Sequence, residues 1–360
     1  MPRVMKRVLF ICKDRDISYF GGLGDIKSSG LWNSSEAICK MINHHDMAKA
    51  KIVKVIDNND IDREVFAFKP THVIIEALWV VPEKFEVLQK LYPKIQWYVR
   101  LHSDIPFLAN EGIAIEWLFK YLDYNNLNVA FNSKSALEEF KHVSYCNEQL
   151  IYLPNYYQAK PFDHKRRFIN KRAINIGCFG AIRPFKNNLI QAMAAIRFAD
   201  NIGKDLYFYI NSTRVELKGG SILKNIRALF DNSYHNLVEI SWLEHPEFIK
   251  FLDTNIDISM QVSFSETFNI VVADSVNCGI PVVVSPEIYW INKRFQADPN
   301  SGADIIKKLY NAYDAVKDKS HEINNESLHK DNEIAIDIWE RFLRQDHTRP
   351  HWKESWRNKH

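Results

Sequence analysis

Residues 263–286 read SFSETFNIVVADSVNCGIPVVVSP, with one acid at Glu266 and a second at Asp274, eight positions on. Thr267, Phe268 and Asn269 precede an apolar run, so a helix start with unbonded backbone N–H groups is expected beside the first carboxylate. Amides at a helix start hold phosphate or sugar oxygens, and carboxylates accept hydrogen bonds from hydroxyls. Arg183 and Lys186 lie three apart in the run Gly180-Ala181-Ile182-Arg183-Pro184-Phe185-Lys186. Arginine offers a planar donor fork and lysine a point charge, and both suit phosphate oxygens. His102, followed by Ser103 and Asp104, can bond a hydroxyl, with Asp104 or Ser103 orienting the ring. Gly21 and Gly22 stand in a Gly-Gly-Leu-Gly run, where backbone can approach a ligand closely.

These residues need a frame that brings separate loops together. Strand-like apolar runs fall at 7–12, 51–56, 72–76, 95–101, 128–132 and 150–153, and again at 173–179, 206–210, 237–240, 256–262 and 281–284. Helical patterns lie between them at 33–42, 83–92, 113–124 and 133–142, then at 188–201, 222–230, 246–252 and 269–277, with terminal helices at 303–316 and 333–344. The alternation predicts an α/β chain of two Rossmann-like domains, each with a parallel sheet covered on both faces. The stretch 154–172 breaks the rhythm with Pro154, Pro161, Asp163 and Lys165-Arg166-Arg167, and reads as the linker. The expected units are 1–160, 173–330, and a terminal helix with a basic aromatic tail at 331–360, whose return to the first unit is left open. Each chemical motif follows a predicted strand, where the crevice of an open α/β sheet lies.

The Glu266…Asp274 element, with Cys278-Gly279-Ile280-Pro281-Val282-Val283 after it, resembles the donor-sugar signature of GT-B glycosyltransferases, especially glycosyltransferase family 4. The family pattern is Glu, seven residues, Glu, then a Cys-Gly-x-Pro-Val-Val run. This chain has Asp274 at the second acid and Thr267-Phe268-Asn269 at a turn that is commonly Gly-Phe-Gly-like. The Arg183 and Lys186 run is similar to the family's Gly-Arg-x-x-x-x-Lys-Gly element, with closer spacing and Asn187 in place of the last glycine. Leu153-Pro154-Asn155 resembles the family's Pro-Asn before the interdomain crossing, and Gly21-Gly22-Leu23 resembles a loop of glycogen and starch synthases without its lysine.

The resemblance implies a GT-B architecture of two domains facing across a cleft, and sugar transfer from a nucleotide-diphosphate sugar to an acceptor hydroxyl with retention of configuration. It further implies that Glu266 contacts the donor sugar, Asp274 the ribose, and Arg183, Lys186 and the amides of residues 267–269 the diphosphate. His102 would sit beside the reacting sugar, and Trp242 or Leu243 would line the base pocket. Gly21 and Gly22 would approach the ligand through backbone. No cofactor beyond the donor is expected. The acceptor is a glycan, a lipid-linked glycan or another hydroxyl, and the basic tail leaves a nucleic acid open. Other readings of the same residues are a strand–helix–strand unit with two solvated acids, a non-catalytic nucleotide-sugar-binding protein, and a nucleotide-sugar epimerase or hydrolase.

Composition narrows these classes. The chain has 360 residues, 46% of them hydrophobic, which is ample for two cores. A net charge of +3 argues against broad nucleic-acid affinity. Cys12, Cys39, Cys146, Cys178 and Cys278 are scattered without Cys-x-x-Cys spacing and read as reduced thiols, neither a disulfide set nor a zinc set. Asp14-Arg15-Asp16 and Asp60-Ile61-Asp62 match the Asp-x-Asp of metal-using transferases but lack its surroundings, and no metal site is expected. No transmembrane segment or signal peptide is expected. The expected location is the cytoplasm, with a peripheral place at a membrane surface left open.

Overall fold

The computed structural model describes residues 5–14, 30–159 and 172–345. Gly21, Gly22 and the basic tail lie outside the described residues. One sheet holds β1 (Arg7–Lys13), β2 (Lys49–Val55), β3 (His72–Glu76), β4 (Gln96–Leu101), β5 (Leu127–Phe131) and β6 (Leu150–Tyr152), in the order β2-β1-β3-β4-β5-β6. The other holds β7 (Ala173–Cys178), β8 (Asp205–Asn211), β9 (Asn236–Ile240), β10 (Ile258–Gln261) and β11 (Val282–Val284), in the order β11-β10-β7-β8-β9. All the paired strands run parallel. Runs such as Val8-Leu9-Phe10-Ile11 and Val282-Val283-Val284 are buried throughout, as strands with both faces covered must be.

Strand order reverses between β1 and β3 in the first sheet and between β7 and β10 in the second. Neighbouring crossovers leave on opposite faces at such a point, so a crevice opens at the strands' carboxyl ends. In the second sheet the segments at that crevice are the loop after β7, with Arg183 and Lys186, and the loop after β10, with Glu266.

One face of the first sheet packs Leu9, Ile75, Trp97 and Val129 against Phe85, Leu118 and Tyr121. On the other face Val8, Phe10, Ile74 and Tyr98 meet Ile38 and Met41, together with Trp339, Phe342 and Leu343 from the helix Ile323–Arg344. Trp339 Nε1 donates to the carbonyl of Pro154 at 3.0 Å. The second sheet builds its own core around Ile174, Ile176, Phe198, Phe208 and Met260.

Three helical segments depart from the sequence reading, one of them the short helix Ile105–Leu108. Asp60–Phe68 is a helix. Asp60 accepts from the amide of Ile56 at 2.9 Å, and Tyr92 donates its hydroxyl to Asp62, so this Asp-x-Asp serves a helix start, where negative charge is favourable. The terminal helix begins at Ile323, ten residues before the predicted start. Its first half buries Asn324, Asn325 and Asn332 where an apolar stripe would normally be. Asn332 bonds the backbone of Tyr157 twice, accepting from N at 3.0 Å and donating to O at 2.7 Å. Among the described residues no helix is long and apolar enough to cross a membrane.

Candidate active site

The first wall of the cleft is set by strand register. Glu76 closes β3 and lies opposite Arg100 on β4, and both side chains are fully buried. Arg100 Nη1 donates to Glu76 Oε2 at 3.1 Å and Nε to the carbonyl of Leu153 at 3.0 Å, while Nη2 donates to Asn155 Oδ1. His102 follows β4, and its Nε2 bonds the same Glu76 oxygen. Burial alone would push the Glu76 carboxyl up, but Arg100 and then His102 outweigh it and hold the group below the ordinary carboxylate range. Burial, and after it the Arg100 charge, pull His102 down, so the ring is neutral near pH 7. An ionised carboxylate only accepts, so the Glu76 contact favours the proton on Nε2, although Arg100 Nη1 lies 3.2 Å from the same nitrogen. In that tautomer Nδ1 is left as an acceptor.

Glu76, and neither Ser103 nor Asp104, is thus the partner that fixes His102. Asp104 instead caps the helix Ile105–Leu108, accepting from the Ile105 amide at 2.7 Å, and takes a bond from the Ser133 hydroxyl at 3.2 Å. An Asp followed by Ile-Pro is a helix-start signal, and that local use outcompetes an orienting role.

The second wall gathers at β7 and β10. Lys186 Nζ is paired with Glu266 Oε1, the side chains being 13% and 8% exposed. Arg183 is on the same turn but engages other groups. Its guanidinium lies 4.5 Å from the ring centre of Phe107, across the cleft, and Nη1 donates to Glu216 Oε2 at 3.4 Å. Gly180 takes φ +106°, and its amide donates to Asn211 Oδ1 at 2.9 Å, so a side chain is disfavoured there for backbone reasons.

Asn269 starts the helix Ile270–Asn277 with φ 61°, and its Oδ1 accepts from the Val272 amide at 3.1 Å. Asparagine does here what a glycine would do in the turn, and caps as well. Asn269→Ala is expected to lower stability by about 1–2 kcal/mol, and Asn269→Gly by less because the positive φ is kept. Urea denaturation midpoints of the two variants check this. Thr267 Oγ1 accepts from Asn132 Nδ2 at 3.1 Å and donates to the carbonyl of His102 at 3.5 Å, joining the two walls. The Phe268 ring is buried against Trp290 at 5.5 Å, so this residue can meet a ligand only through its backbone.

Beside this helix start is a cavity lined by Trp242, Leu243, His245, Phe248, Ile270 and Asp274, with Gly30 and Asn33 contributed from the first half. The Arg214 guanidinium lies 4.7 Å from the Trp242 ring centre. Asp274 Oδ1 accepts from the Tyr157 hydroxyl at 2.8 Å and lies 2.9 Å from His245 Nε2. That bond pushes His245 up from its ordinary value against the pull of burial, with the Asp274 charge and Glu36 adding to the push. Among the described residues no group of three or more His, Cys, Asp and Glu side chains is placed to hold a metal.

The structure brings Lys186 and Glu266 together, sets Trp242, Leu243 and Asp274 around one cavity, and places Thr267 against the backbone of His102. The sequence reading does not single out Glu76, Arg100, Tyr157 or His245. Glu76 and Arg100 stand inside recognised strands, but their pairing arises from register between strands. His245 precedes Pro246 at a helix start, a local signal that says nothing of Asp274.

No protein-family model matches the chain, and no curated protein matches its sequence. Solved structures match over nearly its whole length. A trehalose-6-phosphate structure from E. coli bound with UDP-2-fluoro glucose aligns with a TM-score of 0.64 at 10% identity, over 94% of this chain and 99% of that one. Anabaena HepE in complex with UDP and glucose aligns with a TM-score of 0.61 at 11% identity, over 94% and 97%. The fold is GT-B. The UDP-forming α,α-trehalose-phosphate synthase of Burkholderia vietnamiensis gives 0.61 at 12% identity, over 94% and 99%. At these identities the likeness is one of fold. The GT-B frame places the β7/β10 crevice of the second domain opposite the wall of Glu76, Arg100 and His102 in the first.

Proposed function

We propose that the protein is a glycosyltransferase that moves a sugar from a nucleotide-diphosphate sugar to an acceptor hydroxyl with retention of configuration. The observation that carries this reading is the meeting of Lys186, Glu266 and the start of the helix Ile270–Asn277 at one switch point. A cation and a helix N-terminus favour a diphosphate there, and Glu266 can accept from sugar hydroxyls once Lys186 turns to phosphate. The base would lie against Trp242 and Leu243. His102, held neutral by Glu76 and Arg100, would offer Nδ1 to a hydroxyl of the transferred sugar.

In the proposed step the bond from the sugar's anomeric carbon to the leaving phosphate oxygen breaks. A bond from that carbon to the acceptor oxygen forms on the same face, and the acceptor's proton passes to the leaving phosphate. Lys186, Arg183 and the helix amides offset the charge that gathers on the diphosphate. No cofactor besides the donor enters this scheme. Several of the structural neighbours hold UDP or a UDP-sugar, so UDP-linked hexoses head the donors to test.

Melting curves with UDP-, GDP-, ADP- and dTDP-linked sugars test donor binding. A donor at about 100 times its Kd adds roughly 2.7 kcal/mol of stability, so the right nucleotide sugar raises Tm clearly, and the absence of any shift across the set overturns the proposal. Proton NMR of the product then tests retention. Turnover of donor without acceptor would point to an epimerase or hydrolase, and binding without turnover of any acceptor to a carrier.

A further inference from the structure

We infer that His245 is the side chain that meets the pentose hydroxyls of the nucleotide, and that Asp274 is the positioning residue behind it. The inference rests on the donor reading above. A nucleotide with its phosphates at the first turn of the helix Ile270–Asn277 and its base against Trp242, Leu243 and Phe248 brings its pentose between them. The ionisable side chains lining that cavity are His245 and Asp274.

Exposure separates their roles. The Asp274 side chain is 2% exposed and that of His245 33%. Both side-chain bonds of Asp274 converge on Oδ1, from the Tyr157 hydroxyl at 2.8 Å and His245 Nε2 at 2.9 Å. Oδ1 is therefore taken by protein partners and the carboxylate is shielded, while the imidazole reaches the cavity. With Nε2 turned to a carboxylate, Nδ1 is the atom left for a ligand. A pentose hydroxyl both donates and accepts, so it can bond Nδ1 whether the ring is neutral or protonated. The upward push on His245 from Asp274 makes the protonated form, the stronger donor, more populated near neutrality.

Isosteric variants distinguish this from a purely structural role. Glutamine keeps an amide near the Nε2 position, facing Asp274, and has nothing at Nδ1. Asparagine keeps an amide near Nδ1 and drops the Asp274 bond. Calorimetric titration would use UDP, GDP and ADP, each beside its 2′-deoxy counterpart. The wild type is expected to bind at least one ribose form about tenfold tighter than the deoxy form. His245→Gln should bring the ratio close to one, His245→Asn should keep part of it, and Tyr157→Phe, which leaves the imidazole in place, should keep most of it. A wild-type ratio in His245→Gln overturns the inference, as does a wild type that binds both forms equally, or loss in Tyr157→Phe with none in His245→Gln. If the wild type binds no diphosphate and no nucleotide sugar, the donor reading itself has failed and this inference falls with it.

Discussion

Lys186→Ala is expected to lower kcat for sugar transfer by about 10²–10³-fold, the usual cost of removing one preorganised group that stabilises transition-state charge. The size follows from where the ammonium stands. It is largely screened from water, 13% exposed, and sits on the 3₁₀ turn that opens the helix Asn188–Ile202. Charge gathers on the leaving diphosphate only as the glycosidic bond stretches, so the loss should fall on kcat more than on KM. Substitution also strips Glu266 of its partner. A shielded carboxylate without a partner is unfavourable by up to about 3 kcal/mol, so the single variant mixes a rate effect with a stability effect. The double variant Lys186→Met/Glu266→Gln should regain stability in urea melts without regaining rate. Near-normal turnover of the true donor by Lys186→Ala would remove lysine from the proposed chemistry.

Glu76→Ala should be the most destabilising single change in the first domain. It leaves the fully buried Arg100 guanidinium without its counter-charge, a loss of about 3–5 kcal/mol, or roughly 6–20 °C in Tm for domains of about 150–250 residues. Glu76→Gln retains an acceptor for Arg100 and should lose less. Both variants release His102 Nε2 from a negatively charged acceptor, so the rate should fall even in the glutamine variant, where the fold survives. The pH dependence has a defined sign. Glu76 is held below its unfolded value of 4.5, so its contribution is full above that pH and is lost as pH falls through the lower folded value. His102 is held below its unfolded value of 6.5, so below that pH the unfolded chain takes up the proton more readily and stability declines. Both groups therefore weaken the fold on the acid side. Melting curves taken from pH 4.5 downward should show a steeper loss in the wild type than in Glu76→Gln, which has no carboxyl there to protonate. Between pH 6.5 and 4.5 the order reverses, because the variant lacks the Glu76 charge that raises His102. Equal slopes in the two proteins would count against the assignment.

The eleven strands are legible in the sequence because most are apolar runs buried on both faces, as in β1, β3, β5 and β11, whereas β2 and β9 keep shorter apolar runs between exposed Lys51, Lys54 and Glu239. The helix Asp60–Phe68 carried a signal too, since Ile61, Val65 and Phe68 fall at helical spacing and are its buried residues. The sequence reading treats this stretch only as an Asp-x-Asp without the surroundings of a metal motif. The front of the terminal helix carried no such signal, because it packs by asparagine hydrogen bonds where apolar contact would be visible. Site residues divide the same way. Glu266, Asp274 and Lys186 stand in local patterns, whereas the Glu76–Arg100–His102 cluster depends on the pairing of β3 with β4, and His245 meets Asp274 only when two separate loops converge. Pairings of that kind are properties of the fold, and a single sequence does not display them.

The helix Ile323–Arg344 has a consequence for the order in which the protein is made. Trp339, Phe342 and Leu343 complete the apolar face of the first sheet over Val8, Phe10, Ile74 and Tyr98. A ribosome therefore releases every strand of both sheets before the residues that cover this face exist. During synthesis the part of this face that Ile38 and Met41 do not cover stays an open aromatic and aliphatic surface, and it closes only when the helix Ile323–Arg344 arrives. Loss of residues 339–343 would leave that surface permanently open, making aggregation of the nascent chain, ahead of any defect in sugar transfer, the first symptom of a truncation there.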